Sequence, residues 1–246
     1  MTLLVPEPPL LKASDKTTSA TLVYQKLRRD ILNGTMKPGQ KLQIDQVAQR
    51  YDSGINPVRE ALNRLSAERL VDRRDQRGFF VPPLTLIAFR ELVASRCWIE
   101  AIALEQSILN RTKAWEDEVI TTHYRLDREP VRLADEEGGD NSAWEERHRA
   151  FHNALVGNSG SSWLTGFCHD MMDHAERYRF ASMSGSYPRR DSREEHRLIM
   201  EATLDGSVAL AVERLTAHYR LTLQQLEEQT RAPMPGETET PSRSPD

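Results

Sequence analysis

Cysteine is almost missing from this chain of 246 residues, which has only Cys97 and Cys168. Two thiols are too few for a disulfide framework, and a reducing cytoplasm is the simpler reading. No apolar run is long enough to cross a bilayer, so no membrane partner is expected. The first 16 residues have three prolines, no basic start and no long apolar core, which excludes a signal peptide reading. Hydrophobic residues make up only 38%, enough for helical domains with wide solvated faces. No internal repeat is visible, and no HExxH-like run pairs a general base with metal-binding histidines. Excess positive charge is missing too: the net charge of −4 argues against a protein that coats nucleic acid by bulk charge.

The distribution of that charge says something different. Residues 16–82 hold 13 Lys and Arg against 7 Asp and Glu, a net +6 that leaves −10 for the rest. A basic head on an acidic body is the footprint of a DNA-binding module joined to a domain with another task. Within the head, a short amphipathic segment at residues 44–51 is followed, after Asp52-Ser53-Gly54, by the run Ile55-Asn56-Pro57-Val58-Arg59-Glu60-Ala61-Leu62-Asn63-Arg64-Leu65. Two short helices joined so tightly are the sequence form of a helix-turn-helix, whose second helix enters the DNA major groove. Val58, Ala61, Leu62 and Leu65 share one apolar stripe, so Asn56, Arg59, Asn63 and Arg64 look outward. Gly54 sits where an N-cap belongs, and Pro57 falls in the first turn, where its missing N–H costs nothing. Asn56 is placed to reach an adenine edge or a phosphate. Arg50 and Arg64 flank the unit as phosphate contacts, with plain solvated arginines as the alternative. Two short β-like runs follow at residues 70–73 and 78–81, around the polar turn Asp75-Gln76-Arg77.

After Pro82-Pro83 the strand signals stop. The pattern predicts long amphipathic helices over residues 84–109, 114–128, 142–156, 161–182, 189–204 and 207–229, an all-helical bundle. The breaks are acidic and Gly-containing at 136–141, rich in Gly and Ser at 157–160, then Tyr187-Pro188 and Asp205-Gly206. Four of the seven histidines fall on or beside apolar stripes of three helices: His148 and His152, four apart on one helix, then His196 and His218. The (i, i+4) pair puts two imidazoles side by side, as one metal ion needs. For any single buried histidine, hydrogen-bonded packing is the better reading. Four together favour a metal site, because each unpaired imidazole would otherwise need its own partner. His123, His169 and His174 are assigned no role beyond surface or packing. Arg96 stands four residues before Glu100 and reads on its own as a helical ion pair.

At these residues the chain resembles a known family. Pro57-Val58-Arg59-Glu60-Ala61-Leu62, then Leu65 and Leu70-Val71, is similar to the recognition helix of GntR-family winged helix-turn-helix regulators. Tyr24, Leu27, Ile31, Gly34, Pro38-Gly39, Leu42 and Ala48 stand in the order that family uses. The segments His148-Arg149-Ala150-Phe151-His152, Glu194-Glu195-His196-Arg197-Leu198-Ile199 and Ala217-His218 resemble the FCD-type effector domain of its FadR-like branch. The resemblance implies several things. The hairpin is a wing whose tip, with Arg77 and Gly78, approaches the minor groove, where narrow width favours Arg. Arg59 matches and becomes the leading base or phosphate contact. The family's Ser-Arg pair is replaced by Gly54-Ile55, so a guanine readout is lost and an apolar contact with a thymine methyl can take its place. In the helical domain many members hold a divalent metal through one Asp and three His. Here the three match His152, His196 and His218, and the Asp position is His148. Arg96 corresponds to an arginine that faces the ligand cavity, suited to clamp a carboxylate at two points.

A four-imidazole site lacks an anionic ligand. It should therefore prefer Zn, Ni or Co to oxygen-seeking Mn, Mg or Ca, and attract an anion strongly. The run at residues 144–180 resembles the subgroup associated with glutarate and 4-aminobutyrate catabolism. The expected fold is mainly α: a disordered segment at 1–18, a winged helix-turn-helix of three helices and a small β-hairpin at 19–82, an all-helical effector, metal-binding and dimerisation domain at 83–230, and a disordered tail at 231–246. The expected function is a cytoplasmic, dimeric, ligand-responsive regulator of organic-acid or amino-acid catabolism genes, not an enzyme. Repression relieved by the effector is the family's commoner mode, and the effector expected here is a small (di)carboxylate. Its operator should be a palindromic duplex, since one head contacts too few bases. A metal-dependent hydrolase and a metal-only sensor are the alternatives.

Overall fold

The structure, a computed structural model, describes residues 17–131, 142–183 and 191–231. The loose ends expected within 1–16 and 232–246, the acidic break at 136–141 and the Tyr187-Pro188 break lie outside the described residues. Nine helices and three strands are placed among them, and the protein is mainly α. The chain divides into two compact units, residues 1–29 with 41–80, and residues 30–40 with 81–246.

The first unit contains most of α1 (Ser19–Leu32), then β1 (Lys41–Leu42), α2 (Ile44–Arg50), α3 (Ile55–Ala67), β2 (Asp72–Arg74) and β3 (Gly78–Phe80). Val23 and Leu27 of α1, Val47 and Ala48 of α2, and Val58, Ala61, Leu62 and Leu65 of α3 are buried, the last four being the stripe that the helical period predicts. The turn between α2 and α3 is short because Asp52 adopts φ +50° and the Ser53 N–H donates back to the Ala48 carbonyl at 2.9 Å. Gly54 is extended at the N-cap of α3, and Pro57 lies in its first turn. At the far end, the N–H groups of Leu70 and Val71 both donate to the Leu65 carbonyl, at 3.0 and 3.3 Å, so these apolar residues close the helix and the strand begins only at Asp72.

The expected hairpin is present, but it is part of a three-stranded antiparallel sheet in the order β1-β3-β2. Lys41 and Leu42 pair with Phe80 and Phe79, and a strand of two residues has no alternation to read in a sequence. At the hairpin tip, Gln76 and Gly78 are left-handed, with φ of +57° and +92°. A side chain at Gly78 would be strained there, which makes its contribution to the wing conformational.

The second unit is helical: α4 (Leu86–Leu109), α5 (Lys113–Asp127), α6 (Ser142–Val156), α7 (Ser162–Met183), α8 (Ser192–Leu204) and α9 (Val208–Arg231). Thr85, Thr112 and Asp191 cap α4, α5 and α8 by accepting from the N–H groups of Ala88, Trp115 and Glu194 at 3.2, 3.2 and 3.0 Å. Helix α4 packs against α6, α7 and α9, α5 against α6 and α8, and α8 against α9. Phe89, Leu104, Val119, Phe151, Leu155, Ile199 and Leu215 form one shared core. The Trp115 indole N–H donates to the Ala154 carbonyl at 2.7 Å, fixing α5 on α6. No helix among the described residues is long and apolar enough to cross a membrane.

Candidate nucleic-acid interface and candidate metal centre

In the first unit, α3 and the sheet enclose an open groove of about 560 Å³. Ile55, Arg59 and Asn63 line it from α3, Arg77 and Gly78 from the hairpin. Lys41, Arg73 and Arg74 add three more cations to its walls, against the carboxylates of Asp45 and Asp75. A groove of this sign beside an exposed helix face is suited to a duplex whose phosphates pass on both sides of an inserted helix. Ile55 is 38% exposed, an apolar side chain at the first helical position where a thymine methyl could meet it.

The other head residues divide. Asn56 is exposed on the first turn of α3 but does not line the groove, and Arg50 lies outside the lining as well. Arg64 lies over the Tyr24 ring at 4.1 Å and donates to Thr21 Oγ1 at 3.4 Å, so part of its role is to hold α3 on α1. Lys41, Arg73 and Arg74 were not singled out by sequence reasoning, whereas Asn63, read there as outward-facing, does line the groove. The adjacent arginines before the turn were the available signal for the wing, whereas Lys41 needed the unrecognised β1.

In the second unit the four histidines converge. His148 and His152 come from α6, His196 from α8 and His218 from α9, and one ring nitrogen of each lies within 4.8 Å of the other three. All four are buried, at 3, 1, 2 and 6% exposure. The Nε2 atoms of His152 and His196 are 3.4 Å apart. Two nitrogens each about 2.1 Å from one tetrahedral ion stand roughly 3.4 Å apart, so the spacing fits. Burial, followed by Arg179 and the neighbouring imidazoles, holds His148 well below the ordinary histidine range. Burial, followed by His218 and His196, does the same to His152. Neutral imidazoles with lone pairs aimed at one point are what a divalent ion requires. The Nδ1 of His148 is sealed from water with no hydrogen-bond partner, an orphaned atom that a cation would satisfy. This donor set could hold a metal ion.

Around the cluster lie groups that the sequence reading did not single out. The His218 Nδ1 faces Glu195 Oε2 at 2.8 Å. His152 Nδ1 is 3.1 Å from the Tyr219 hydroxyl, which itself donates to Glu100 Oε2 at 2.5 Å. Arg96 is 4% exposed, donates from Nε to Glu100 Oε1 at 2.6 Å, and lies 3.8 Å over the Tyr219 ring. Burial opposes its charge, but Glu100 and Tyr219 more than offset that and hold the guanidinium above its ordinary value. The helical ion pair is therefore formed, and Arg96 still borders the histidine cavity. A second arginine, Arg179, borders the same cavity and is held by both oxygens of Glu145, at 3.3 and 2.9 Å. The cavity itself is about 30 Å³, room for a water or two and not for a dicarboxylate as it stands.

Of the histidines assigned no role, His123 packs edge-on against Phe151 with ring centroids 5.3 Å apart, and burial lowers its pKa. His169 is exposed, His174 is half-buried, and neither belongs to the cluster.

Comparison with known proteins gives two family matches, "Bacterial regulatory proteins, gntR family" over residues 20–81 and "FCD domain" over residues 91–221. The chain is 35% identical over 202 residues to an uncharacterized HTH-type transcriptional regulator BphR of Paraburkholderia xenovorans, covering 79% of this chain and 80% of the relative. It is 31% identical over 199 residues to the HTH-type transcriptional repressor GlaR of Escherichia coli, covering 79% and 90%. Among solved structures it shares the fold of Escherichia coli McbR/YncC, with a TM-score of 0.73 at 20% identity, covering 87% of this chain and 99% of that one.

The depressed histidines set an acid limit for the metal-free protein. The ordinary value is 6.5, and an unfolded chain takes up protons below it that buried His148 and His152 refuse. Stability should therefore be full above pH 6.5 and fall as the pH drops further. The fall is at most about 1.4 kcal/mol per pH unit for each histidine. Urea unfolding of chelator-treated protein followed by tryptophan fluorescence reads this unit selectively, since Trp98, Trp115, Trp144 and Trp163 all lie in it. A midpoint unchanged between pH 7.5 and 5.5 would contradict the assignment.

Proposed function

Since the chain belongs to the GntR family of bacterial DNA-binding transcription regulators, in the branch with an FCD domain, we propose that it is a metal-loaded repressor that releases its operator when a small dicarboxylate binds beside the histidine cluster. The family and its relatives are transcription regulators and not enzymes. The observation that carries the finer reading is the convergence of four buried imidazoles, three of them lining a cavity that two buried arginines also border. A bound divalent ion keeps its full charge among neutral ligands, and zinc or nickel suits the nitrogen donors. That ion would supply a positive point for one carboxylate, and Arg96 or Arg179 a two-point clamp for the other. The cavity must widen to admit such a ligand, so binding selects an opened arrangement of the helices around it. Residues 144–180, which resemble the glutarate and 4-aminobutyrate subgroup, favour short dicarboxylates and related amino acids, and thus genes of their catabolism. Such a regulator works in the cytoplasm, where its operator is.

Regulators of this family are typically dimeric, and two heads on a palindrome double the contacts. The surface of the second unit offers a face for the second copy. Ile87, Trp98, Ile102 and Leu109 fall on one stripe of α4 and are 70, 70, 52 and 63% exposed. Trp163 and Phe167, 78 and 53% exposed, share a stripe of α7, which packs beside α4 while α6 packs against both. At 150–250 Å² per ring, the three aromatics leave roughly 450 Å² in water on each copy. Two copies, with the aliphatic residues added, reach the ~1,000 Å² that a stable interface needs.

Three outcomes test this reading. Arg59→Ala should weaken binding to promoter fragments of the chain's own gene neighbourhood about 10–100-fold without changing the circular dichroism spectrum; undiminished binding would remove Arg59 from the interface. In a thermal-shift screen, glutarate-sized dicarboxylates should stabilise metal-loaded protein, and the effect should vanish in His152→Ala/His218→Ala and in Arg96→Lys. A response that survives both would defeat the pocket. Trp98→Glu with Phe167→Glu should sediment as a monomer, whereas a persisting dimer would place the interface elsewhere.

A further inference from the structure

The cluster contains no carboxylate among its described ligand candidates, yet two carboxylates stand one hydrogen bond or one residue behind it. We propose that Glu195 and the Glu100–Tyr219 pair are positioning residues of the metal centre, each fixing one imidazole so that its Nε2 faces the ion, and supplying from behind the negative charge that a ligating carboxylate would otherwise provide. This rests on the metal reading above.

The donor and acceptor roles lead there directly. A carboxylate only accepts, so the His218 Nδ1 at 2.8 Å from Glu195 Oε2 carries the hydrogen. In the neutral ring that metal binding requires, the other nitrogen, Nε2, is then the lone-pair atom. Tyr219 has one hydroxyl hydrogen, and it is committed to Glu100. Its oxygen can only accept from the His152 Nδ1 at 3.1 Å, which again leaves Nε2 as the lone-pair atom. That nitrogen is the one 3.4 Å from His196 Nε2, on the inner side of the cluster. Two histidines on different helices therefore reach the same tautomer by different routes.

The two routes also differ in reach. Glu195 acts directly and is partly solvated, its side chain 20% exposed. Glu100 is 1% exposed and is shared between Arg96 and Tyr219. A carboxylate behind an imidazole orients the ring and raises its basicity toward the metal, and losing such a partner commonly weakens metal binding 10–100-fold.

The experiment measures zinc affinity of the full-length protein by competition with a chromogenic chelator. Glu195→Gln keeps the volume and removes the negative charge, and Tyr219→Phe removes the hydroxyl that accepts from His152. Each should weaken zinc binding about 10–100-fold, while Glu195→Asp should fall between Gln and wild type. Thermal midpoints of the metal-free forms identify any variant that fails to fold. For such a variant the decision passes to ¹⁵N spectra of histidine-labelled, zinc-loaded wild type, which should show His152 and His218 both protonated at Nδ1. Zinc affinities within a factor of two of wild type, or either histidine protonated at Nε2, would overturn the assignment. Wild-type protein that takes up no zinc would defeat the metal reading and this inference with it, whereas tight wild-type binding with unaffected variants would defeat this inference alone.

Discussion

Four buried imidazoles turned toward one another form an arrangement that neutral packing alone does not stabilise. Each ring has one hydrogen-bearing nitrogen and one lone pair, and lone pairs that converge repel unless a proton or a cation lies between them. Protonation is opposed here, since burial and the facing rings hold His148 and His152 well below the ordinary range. A cation among the rings would resolve the conflict without moving a helix, and the unpartnered Nδ1 of His148 shows that the protein itself leaves that ring unsatisfied. Because the rings come from α6, α8 and α9, the same point joins three of the six helices of the second unit. The packing of Phe151 and Leu155 on α6 and of Ile199 on α8 supplies apolar burial, and the cluster gives those helices a fixed register.

The charge balance around this point follows from the same constraint. Four imidazoles as candidate donors put no negative charge in the ring itself, and the nearest carboxylates stand behind it. Glu195 sits behind His218, and Glu100 behind Tyr219 and His152. Arg96 and Arg179 are held against Glu100 and Glu145 and so border the cavity with their positions already fixed. A carboxylate ligand reaching Arg96 would have to share it with Glu100, the acceptor on which Tyr219 also depends. An anion and a metal bound there would act on one hydrogen-bonded chain, which would couple their affinities.

Much of this was legible before any coordinates. The stripe at Val58, Ala61, Leu62 and Leu65, the short turn after Asp52, and the break at Asp205-Gly206 are local signals, and local signals survive folding. The histidines at 148 and 152 were legible as a pair because one helix fixes their spacing. What the sequence could not show was assembled across helices. Glu195 reads as the neighbour of His196, yet its partner is His218 on the next helix. Tyr219 reads as an ordinary core aromatic, although its hydroxyl links a histidine to a buried glutamate. The short strand β1 has too few residues to carry a period, and the cation it brings to the groove, Lys41, was missed with it. Arg64 looked like a phosphate contact because its stacking partner, Tyr24, lies 40 residues earlier in the chain.

The exposed face of α4 constrains how such a molecule can work. Along one helix, Arg96 borders the histidine cavity and pairs with buried Glu100, while Trp98 and Ile102 point into solvent. A rotation or shift of α4 that widens the cavity for a ligand must also move the Trp98 side of the same rigid rod. If a second copy covers that side, the cavity and the partner are coupled by the helix itself, with no longer path required. The small cavity is then consistent with a state in which α4 lies close over the cluster, and ligand entry has a defined mechanical consequence. An apolar stripe and a charged stripe at the same level of one helix are thus the parts of the chain where binding and assembly meet.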